Sequence, residues 1–505
     1  MPHELTKLEA ARAYERREAA SIPAGDRPAF HLTPPVGWMN DPNGFCFYDG
    51  LYHLFFQYYP YDTVWGPMHW GHATSADLLR WTYRPCALAP DTPADAAGCF
   101  SGSGVPLPDG RLLLIYTGVQ PGTADGGRDA QMQCIAVGDG RDFAKDPANP
   151  VIPAGLLPAG FDTADFRDPK IWREGDRYYC VAACRHRQDQ GSILLFESPD
   201  ARRWKFVTVL DSSRDRLGKM WECPDFFPLG DTQVLLISPQ EVCADPDGAL
   251  HPGDITAALL GRYDPATHAF ARQAVQAVDD GLDFYAPQTT LAPDGRRILV
   301  GWMQCWAATR QGPRPHRWYG RMSLPRELFV RDGRLCQRPV REIETLWQAE
   351  TRLTGVTVEA PAALPGIRGR CLDLSVTADT AANPGCRGFV LHFAEADGRF
   401  AEIRWDAQAG ELLFDRSRCG TRQDLPHIRR VPAAPRAGRL TLRLILDKDC
   451  AELFVNDGER VLSALIDAPE QAAGISFAAL GAPVRLARLE ELELYLDGST
   501  LEVFV

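Results

Sequence analysis

No stretch of the 505 residues approaches the 18 consecutive apolar residues of a membrane-spanning helix. The first thirty residues lack the apolar core of a secretory signal. That predicts a cytoplasmic protein whose 14 cysteines are reduced thiols. Positive charge is in deficit: 54 Lys and Arg face 66 Asp and Glu, a net charge of −12. The balance excludes a general nucleic-acid or anionic-membrane surface and leaves single pockets open. Metal-ligand patterns are thin. Cys180 and Cys184 share one side of a strand-like run and read as small buried hydrophobes. His69 and His72 have no third ligand beside them. Neither a metal nor an organic cofactor is expected.

What is present is a globular composition, 45% hydrophobic and 24% charged, in a chain long enough for two domains. Residues 1–29 read as a helical segment and linker. Thr6 and Glu9 have capping-box spacing, and a Pro/Gly stretch follows from Pro23 to Pro28. Long amphipathic helices are missing thereafter. From Pro34 to about Arg338, short strands such as Leu112–Tyr116, Ile193–Glu197 and Ile298–Trp302 alternate with turns such as Asp49-Gly50, Asp109-Gly110 and Asp332-Gly333. About 300 such residues suit a β-propeller of four-stranded blades, although the periodicity does not give a blade count. The expected boundaries are 30–341 for this domain, 342–350 for a helical connector and 351–505 for a β-sandwich. In the last, Leu440, Leu442, Leu444 and Leu446 alternate with Thr441, Arg443 and Ile445. The stretch from Leu494 to Val505 resembles Leu444–Val455.

The heptapeptide Trp38-Met39-Asn40-Asp41-Pro42-Asn43-Gly44 stands out. Asp-Pro followed by Asn-Gly predicts a sharp turn that presents Asp41 at the mouth of a strand. A carboxylate, a carboxamide and an aromatic ring together suit a sugar: the acid reacts, the amide binds hydroxyls and the ring packs on the apolar face. Two further acids lie in similar settings, Asp168 in Phe166-Arg167-Asp168-Pro169 and Glu222 in Trp221-Glu222-Cys223-Pro224. In a propeller, turns from separate units converge at one end of the central channel. The chemistry that needs two such acids is glycoside hydrolysis. One carboxylate attacks the anomeric carbon, and the other keeps its proton beside neighbouring negative charge and donates it to the leaving oxygen.

Those three motifs resemble glycoside hydrolase family 32, the β-fructofuranosidases. Phe56-Gln57-Tyr58, the run Trp65 to His72, Phe100-Ser101-Gly102-Ser103, Asp283 to Gln288 and Leu324 to Leu328 fit the same pattern in order. The resemblance implies an all-β protein, a five-bladed β-propeller followed by a C-terminal β-sandwich. It implies retaining hydrolysis of a terminal β-D-fructofuranosyl bond in sucrose or sucrose 6-phosphate. Asp41 would be the nucleophile, Glu222 the acid–base and Asp168 the transition-state stabiliser, with Asp41 and Glu222 about 5–5.5 Å apart. Asn40, Gln57, Trp65, Phe100, Ser101, Arg167, Tyr285 and Trp302 would bind the substrate. The alternatives are a fructan exohydrolase or a fructosyltransferase with the same acids, or, least favoured, a non-catalytic fructoside-binding protein. The partners implied are a small sugar and at most a second copy of the chain. A basic loop, Arg310, Arg314, His316, Arg317 and Arg321, is a candidate phosphate contact.

Overall fold

The computed structural model describes residues 5–496 apart from 215–216, 244–249, 310–315, 380–384 and 421–424. The chain starts with a helix, Lys7–Ala19, capped as its sequence predicts. The Thr6 hydroxyl accepts the Glu9 N–H at 3.2 Å and the Glu9 carboxylate accepts the Thr6 N–H at 2.8 Å. The helix buries Ala11, Glu15 and Ala19. Glu15 accepts the Cys86 N–H at 2.8 Å, and burial pushes its carboxyl up to about 8.

Five antiparallel sheets follow, each opened by a long inner strand: Gly37–Tyr48, Gly98–Pro106, Phe161–Glu174, Met220–Leu229 and Tyr285–Leu291. Each inner strand packs on the inner strand of the next sheet, and Tyr285–Leu291 packs back on Gly37–Tyr48, so the ring closes. This is a β-propeller. A late two-residue strand, Trp318–Tyr319, also pairs in parallel with Gly37 and Trp38. The apolar runs of the sequence are the middle strands. Leu112–Tyr116, Ile193–Phe196 and Val234–Ile237 are buried on both faces, because each sheet is sandwiched between two neighbours.

The expected sharp turn at Asp41–Gly44 is not there. These residues lie inside one strand, with irregular register against Leu51–Tyr59 between Met39 and Pro42 and again between Asn43 and Cys46. The Asn-Gly pair is spent on a bulge, in which Gly44 takes the left-handed conformation at φ 55°. The same device recurs around the ring. Register shifts fall between Phe100 and Gly102, between Arg167 and Lys170, between Glu222 and Asp225, and between Tyr285 and Gln288. Asp168, Cys223 and Ala286 sit there at φ 60°, 48° and 51°, each followed by a proline. Proline suits a bulge because it brings no N–H that would go unpaired. Bulged strands bend, and these bends turn side chains toward the propeller axis.

A 3₁₀ turn, Arg341–Leu346, leads into a strand that begins at Trp347, inside the expected connector. Six- and five-stranded sheets then pack face to face over Leu374, Leu391, Trp405, Leu442, Leu453 and Phe477. The alternation Leu440–Leu446 points into that core, while Ile445 packs outward against Phe30 and Phe454, because the propeller covers the other face. The near-repeat at the end of the chain lies, from residue 497 onward, outside the described residues.

Charges seal the join between the two units. Arg326, fully buried, bonds Asp279 at 2.9 Å and also Glu452. His31 contacts Asp447 through Nδ1 at 2.8 Å and Glu452 through Nε2 at 3.0 Å. Burial opposes a charge on His31, but the Cys450 sulfur and both carboxylates outweigh it and hold the ring well above its usual range. His31, Asp447 and Cys450 bring possible metal-ligand atoms within 4.8 Å. Both ring nitrogens already face carboxylates, however, so the group fits an imidazolium clamp rather than a metal site.

Candidate active site

Three inner strands place one carboxylate each at the same end of the ring, and Cys223 stands between two of them. Its Sγ lies 3.6 Å from Asp41 Oδ2 and 3.7 Å from Asp168 Oδ2, and its N–H donates to Asp168 Oδ2 at 2.9 Å. Asp41 is oriented from both sides. Asn40 Nδ2 donates to Oδ1 at 2.9 Å and the Ser101 hydroxyl to Oδ2 at 2.7 Å. Asn40 is itself held, since its Oδ1 accepts from Trp38 Nε1 at 2.7 Å. The third acid, Glu222, receives Arg167 Nε on Oε1 at 2.9 Å and Gln240 Nε2 on Oε2 at 2.9 Å. The Tyr285 hydroxyl reaches the same Oε2 at 2.7 Å.

Electrostatics follow from burial and crowding. Burial, then the Glu222 charge, push Asp41 up to about 6 against the hydrogen bonds from Asn40 and Ser101. The same two causes push Asp168 up to about 7, opposed by Arg167. Asp41 and Asp168 are thus raised by burial and by the same neighbouring charge, because neighbouring carboxylates resist ionising together. Such a site can hold one acid ionised as a nucleophile while a neighbour carries a proton.

The other residues expected from the sequence fall into layers. Ser101 and Asn40 touch Asp41, and Arg167 and Tyr285 touch Glu222. Trp65 is 49% exposed and meets Phe100 edge to face at 5.8 Å, forming an open aromatic wall. Gln57 is buried, with its amide on the Cys99 carbonyl at 3.0 Å. Trp302 is fully buried behind Trp38, ring centroids 6.1 Å apart, so it backs the wall instead of lining it. The described residues of the basic loop, His316, Arg317 and Arg321, do not gather. Arg317 binds Glu18 and Ser21 of the N-terminal segment, and Arg321 binds Asp449. His316 stacks on Trp318, and Arg310 and Arg314 lie outside the described residues.

Several contributors escaped sequence reasoning. Gln131 and Asp165 grip Arg167 Nη1 at 3.1 and 2.9 Å, Gln240 grips Glu222, and the Thr117 hydroxyl accepts the Asp168 N–H at 2.9 Å. The X-Pro dipeptides of the bulges were the one signal that could have aligned the inner strands. A groove of about 700 Å³ between Thr6–Leu8 and Ala87–Pro93 shares no residue with the acids. Of its two lysines, Lys7 donates to the Pro90 carbonyl at 2.6 Å and Lys145 is paired with Asp91 and Asp95.

Comparison with known proteins assigns the chain to one family. A family model described as the glycosyl hydrolases family 32 N-terminal domain matches residues 31–339, and one described as the family 32 C-terminal region matches 342–490. A raffinose invertase of Escherichia coli is 40% identical over 447 residues, 87% of this chain and 89% of that protein. A sucrose-6-phosphate hydrolase of Escherichia coli is 37% identical over 444 residues, with the same coverage of each. Among solved structures, a β-fructofuranosidase mutant of Bombyx mori in complex with sucrose superposes with a TM-score of 0.80 at 33% identity, over 96% of this chain and 97% of that one.

Proposed function

The chain belongs to glycoside hydrolase family 32, and on that premise we propose a double-displacement mechanism on sucrose carried by Asp41, Glu222 and Asp168. It is a glycoside hydrolase that acts on β-fructofuranosides. The observation that carries the assignment of roles is the convergence of the three acids with unequal surroundings: Asp41 on Asn40 and Ser101, Asp168 on the Cys223 N–H, Glu222 on Arg167, Gln240 and Tyr285.

In the first step Asp41 attacks the fructosyl C2 while Glu222 gives its proton to the departing glycosidic oxygen, leaving a fructosyl ester on Asp41. In the second step the Glu222 carboxylate takes a proton from water, and the water oxygen displaces Asp41 from C2. Two inversions give net retention. Asp168, held against Cys223, accepts hydrogen bonds from fructose hydroxyls and stabilises the positive charge that develops on the ring. Asn40 binds hydroxyls beside Asp41. Trp65 and Phe100 supply the apolar wall.

Among the described residues, sucrose is favoured over its 6-phosphate by the pairing of the cations on or beside the strands around Arg167 and Glu222. Arg128 is paired with Asp162, Arg185 with Asp189, Arg187 with Asp125 and Lys219 with Glu241. Arg128 and Arg185 also lie 3.9 and 3.8 Å from Asp165, the residue that grips Arg167. A phosphate would have to break such pairs to be recognised. The test is kcat/KM for sucrose, sucrose 6-phosphate and inulin on one preparation. A preference for unphosphorylated sucrose is expected; a tenfold or greater preference for the phosphate contradicts the assignment. The site of action is the cytoplasm, in keeping with 14 free thiols. The protein acts as a monomer or homodimer, which sedimentation distinguishes.

A further inference from the structure

The segment Asp279–Asp283 joins the fourth sheet to the inner strand of the fifth, which opens with Tyr285. It lies along Arg460–Leu465, the edge strand of the six-stranded sandwich sheet. The Asp280 N–H donates to the Val461 carbonyl at 2.7 Å, and the N–H groups of Leu282 and Asp283 donate to the Ser463 carbonyl at 2.8 and 3.1 Å. In return the Ser463 N–H and hydroxyl donate to the Asp279 carboxylate at 2.9 and 2.7 Å. Asp283 Oδ2 accepts the Leu465 N–H at 2.8 Å and an Arg416 N–H. Arg429 donates to the Gly281 carbonyl at 3.1 Å. There is no room for a side chain in this contact: a Cβ on Gly281 would stand 2.2 Å from both the Ser463 nitrogen and its carbonyl oxygen.

Two residues beyond Asp283, Tyr285 meets the acid–base. Its hydroxyl lies 2.7 Å from Glu222 Oε2 and 3.0 Å from the Ser238 carbonyl. One hydroxyl proton serves two acceptors. When Glu222 is ionised, Tyr285 donates to it. When Glu222 carries the proton, Tyr285 donates to Ser238 and accepts from Glu222. Both states of the cycle are served without movement, provided the ring stays in place. The Ala286 N–H, bonded to the Ser238 hydroxyl at 3.1 Å, leaves the main chain there little slack.

We propose that the sandwich is a positioning element for the acid–base: its edge strand Arg460–Leu465, with Arg416, sets the place of Tyr285 and through it of Glu222. The proposal rests on the assignment of Glu222 as acid–base. A domain so attached acts on the step that needs the proton, which is departure of a sugar alkoxide, and spares departure of a nitrophenolate, which leaves without one.

The experiment compares sucrose with a nitrophenyl β-fructofuranoside for wild type, Glu222→Gln, Tyr285→Phe, Gly281→Ala, Arg416→Gln and the double variant Gly281→Ala/Tyr285→Phe. Thermal melts confirm that each is folded. Glu222→Gln calibrates the readout by losing kcat/KM on sucrose selectively, because kcat/KM excludes the second step that both substrates share. Gly281→Ala and Arg416→Gln are expected to lower kcat/KM on sucrose, which reports the proton-assisted first step, by roughly 10- to 100-fold, with less than about a threefold change in kcat/KM on the aryl fructoside. The double variant is expected to be no worse than Tyr285→Phe alone. If Gly281→Ala does not fold, Arg416→Gln decides on the same readouts. Equal losses on both substrates, or losses that multiply with Tyr285→Phe, overturn the proposal. If Glu222→Gln shows no selectivity, the acid–base assignment falls, and the proposal with it; if Glu222→Gln is selective and the sandwich variants are not, only the proposal falls.

Discussion

Replacing Asp41, the proposed nucleophile, by Asn should abolish turnover and stabilise the protein. The folded site raises the Asp41 carboxyl from 3.8 to about 6, chiefly by burial and by the Glu222 charge. A group whose folded value is raised contributes stability that is full below its unfolded value and gone above its folded one. At pH 8 the wild type therefore carries an ionised Asp41 at a cost of roughly 3 kcal/mol, taking about 1.4 kcal/mol per unit. Asn removes the charge and keeps the contacts, because its amide still meets Asn40 and the Ser101 hydroxyl can accept as well as donate. The variant should melt a few degrees above wild type at pH 8, at about 2 °C per kcal/mol in a chain of this size. The gap should be about half closed at pH 5 and nearly closed at pH 4, as the wild-type carboxyl takes up its proton. Calorimetry across that range is the assay. A variant that melts at or below wild type at pH 8, or a gain that is the same at pH 8 and pH 5, refutes the electrostatic reasoning.

Other outcomes follow from the same contacts. If Asp41 acts as the proposed nucleophile it must be ionised, so kcat/KM on sucrose should fall as pH drops below about 6; an acid limb below pH 4.5 would place the ionisation elsewhere. Glu222→Gln should lower turnover of sucrose by roughly 10²–10⁴-fold, measured at saturating substrate; unchanged turnover removes Glu222 from the chemistry. His31→Ala strips Asp447 and Glu452 of their shared cation in a buried site. It should cost about 3–5 kcal/mol and lower the melting temperature; an unchanged melt means that Arg326 alone suffices for the join. Arg167→Gln frees Glu222 Oε1, and both kcat and kcat/KM should fall if the bond matters in the transition state, whereas a rise in KM alone would make Arg167 a binding group.

Much of this molecule was legible in its sequence because β-propellers repeat local patterns. Apolar runs such as Leu112–Tyr116 announce strands buried on both faces, and the Thr6–Glu9 capping box announces its helix. Of the candidate site, the three acids were legible because each sits in a short contiguous motif. The parts that were not legible depend on partners far away in sequence. Asp165 is two residues from Arg167 and carries no pattern that marks it as that side chain's anchor. Gln240 reaches Glu222 only because the strand Thr232–Gln240 pairs with Met220–Leu229. The grip of Ser463 on Asp279 joins segments 184 residues apart. Asp41–Gly44 looked like a turn because Asn-Gly supports positive φ in either setting. Only its place against Leu51–Tyr59 makes it a bulge. Trp302 carried an aromatic side chain beside a motif strand, but which face it takes is decided by the packing of Trp38 and Trp306.

The most direct test of the mechanism is peptide mapping of a trapped intermediate. Glu222→Gln, mixed with a nitrophenyl β-fructofuranoside, has a leaving group that needs no acid and lacks the base that would activate water, so the fructosyl-enzyme should accumulate. Acid quenching, digestion and mass spectrometry should find one fructosyl ester, on the peptide carrying Asp41. An adduct on Asp168 instead, or steady turnover with inversion and no adduct at all, would contradict the two-step mechanism.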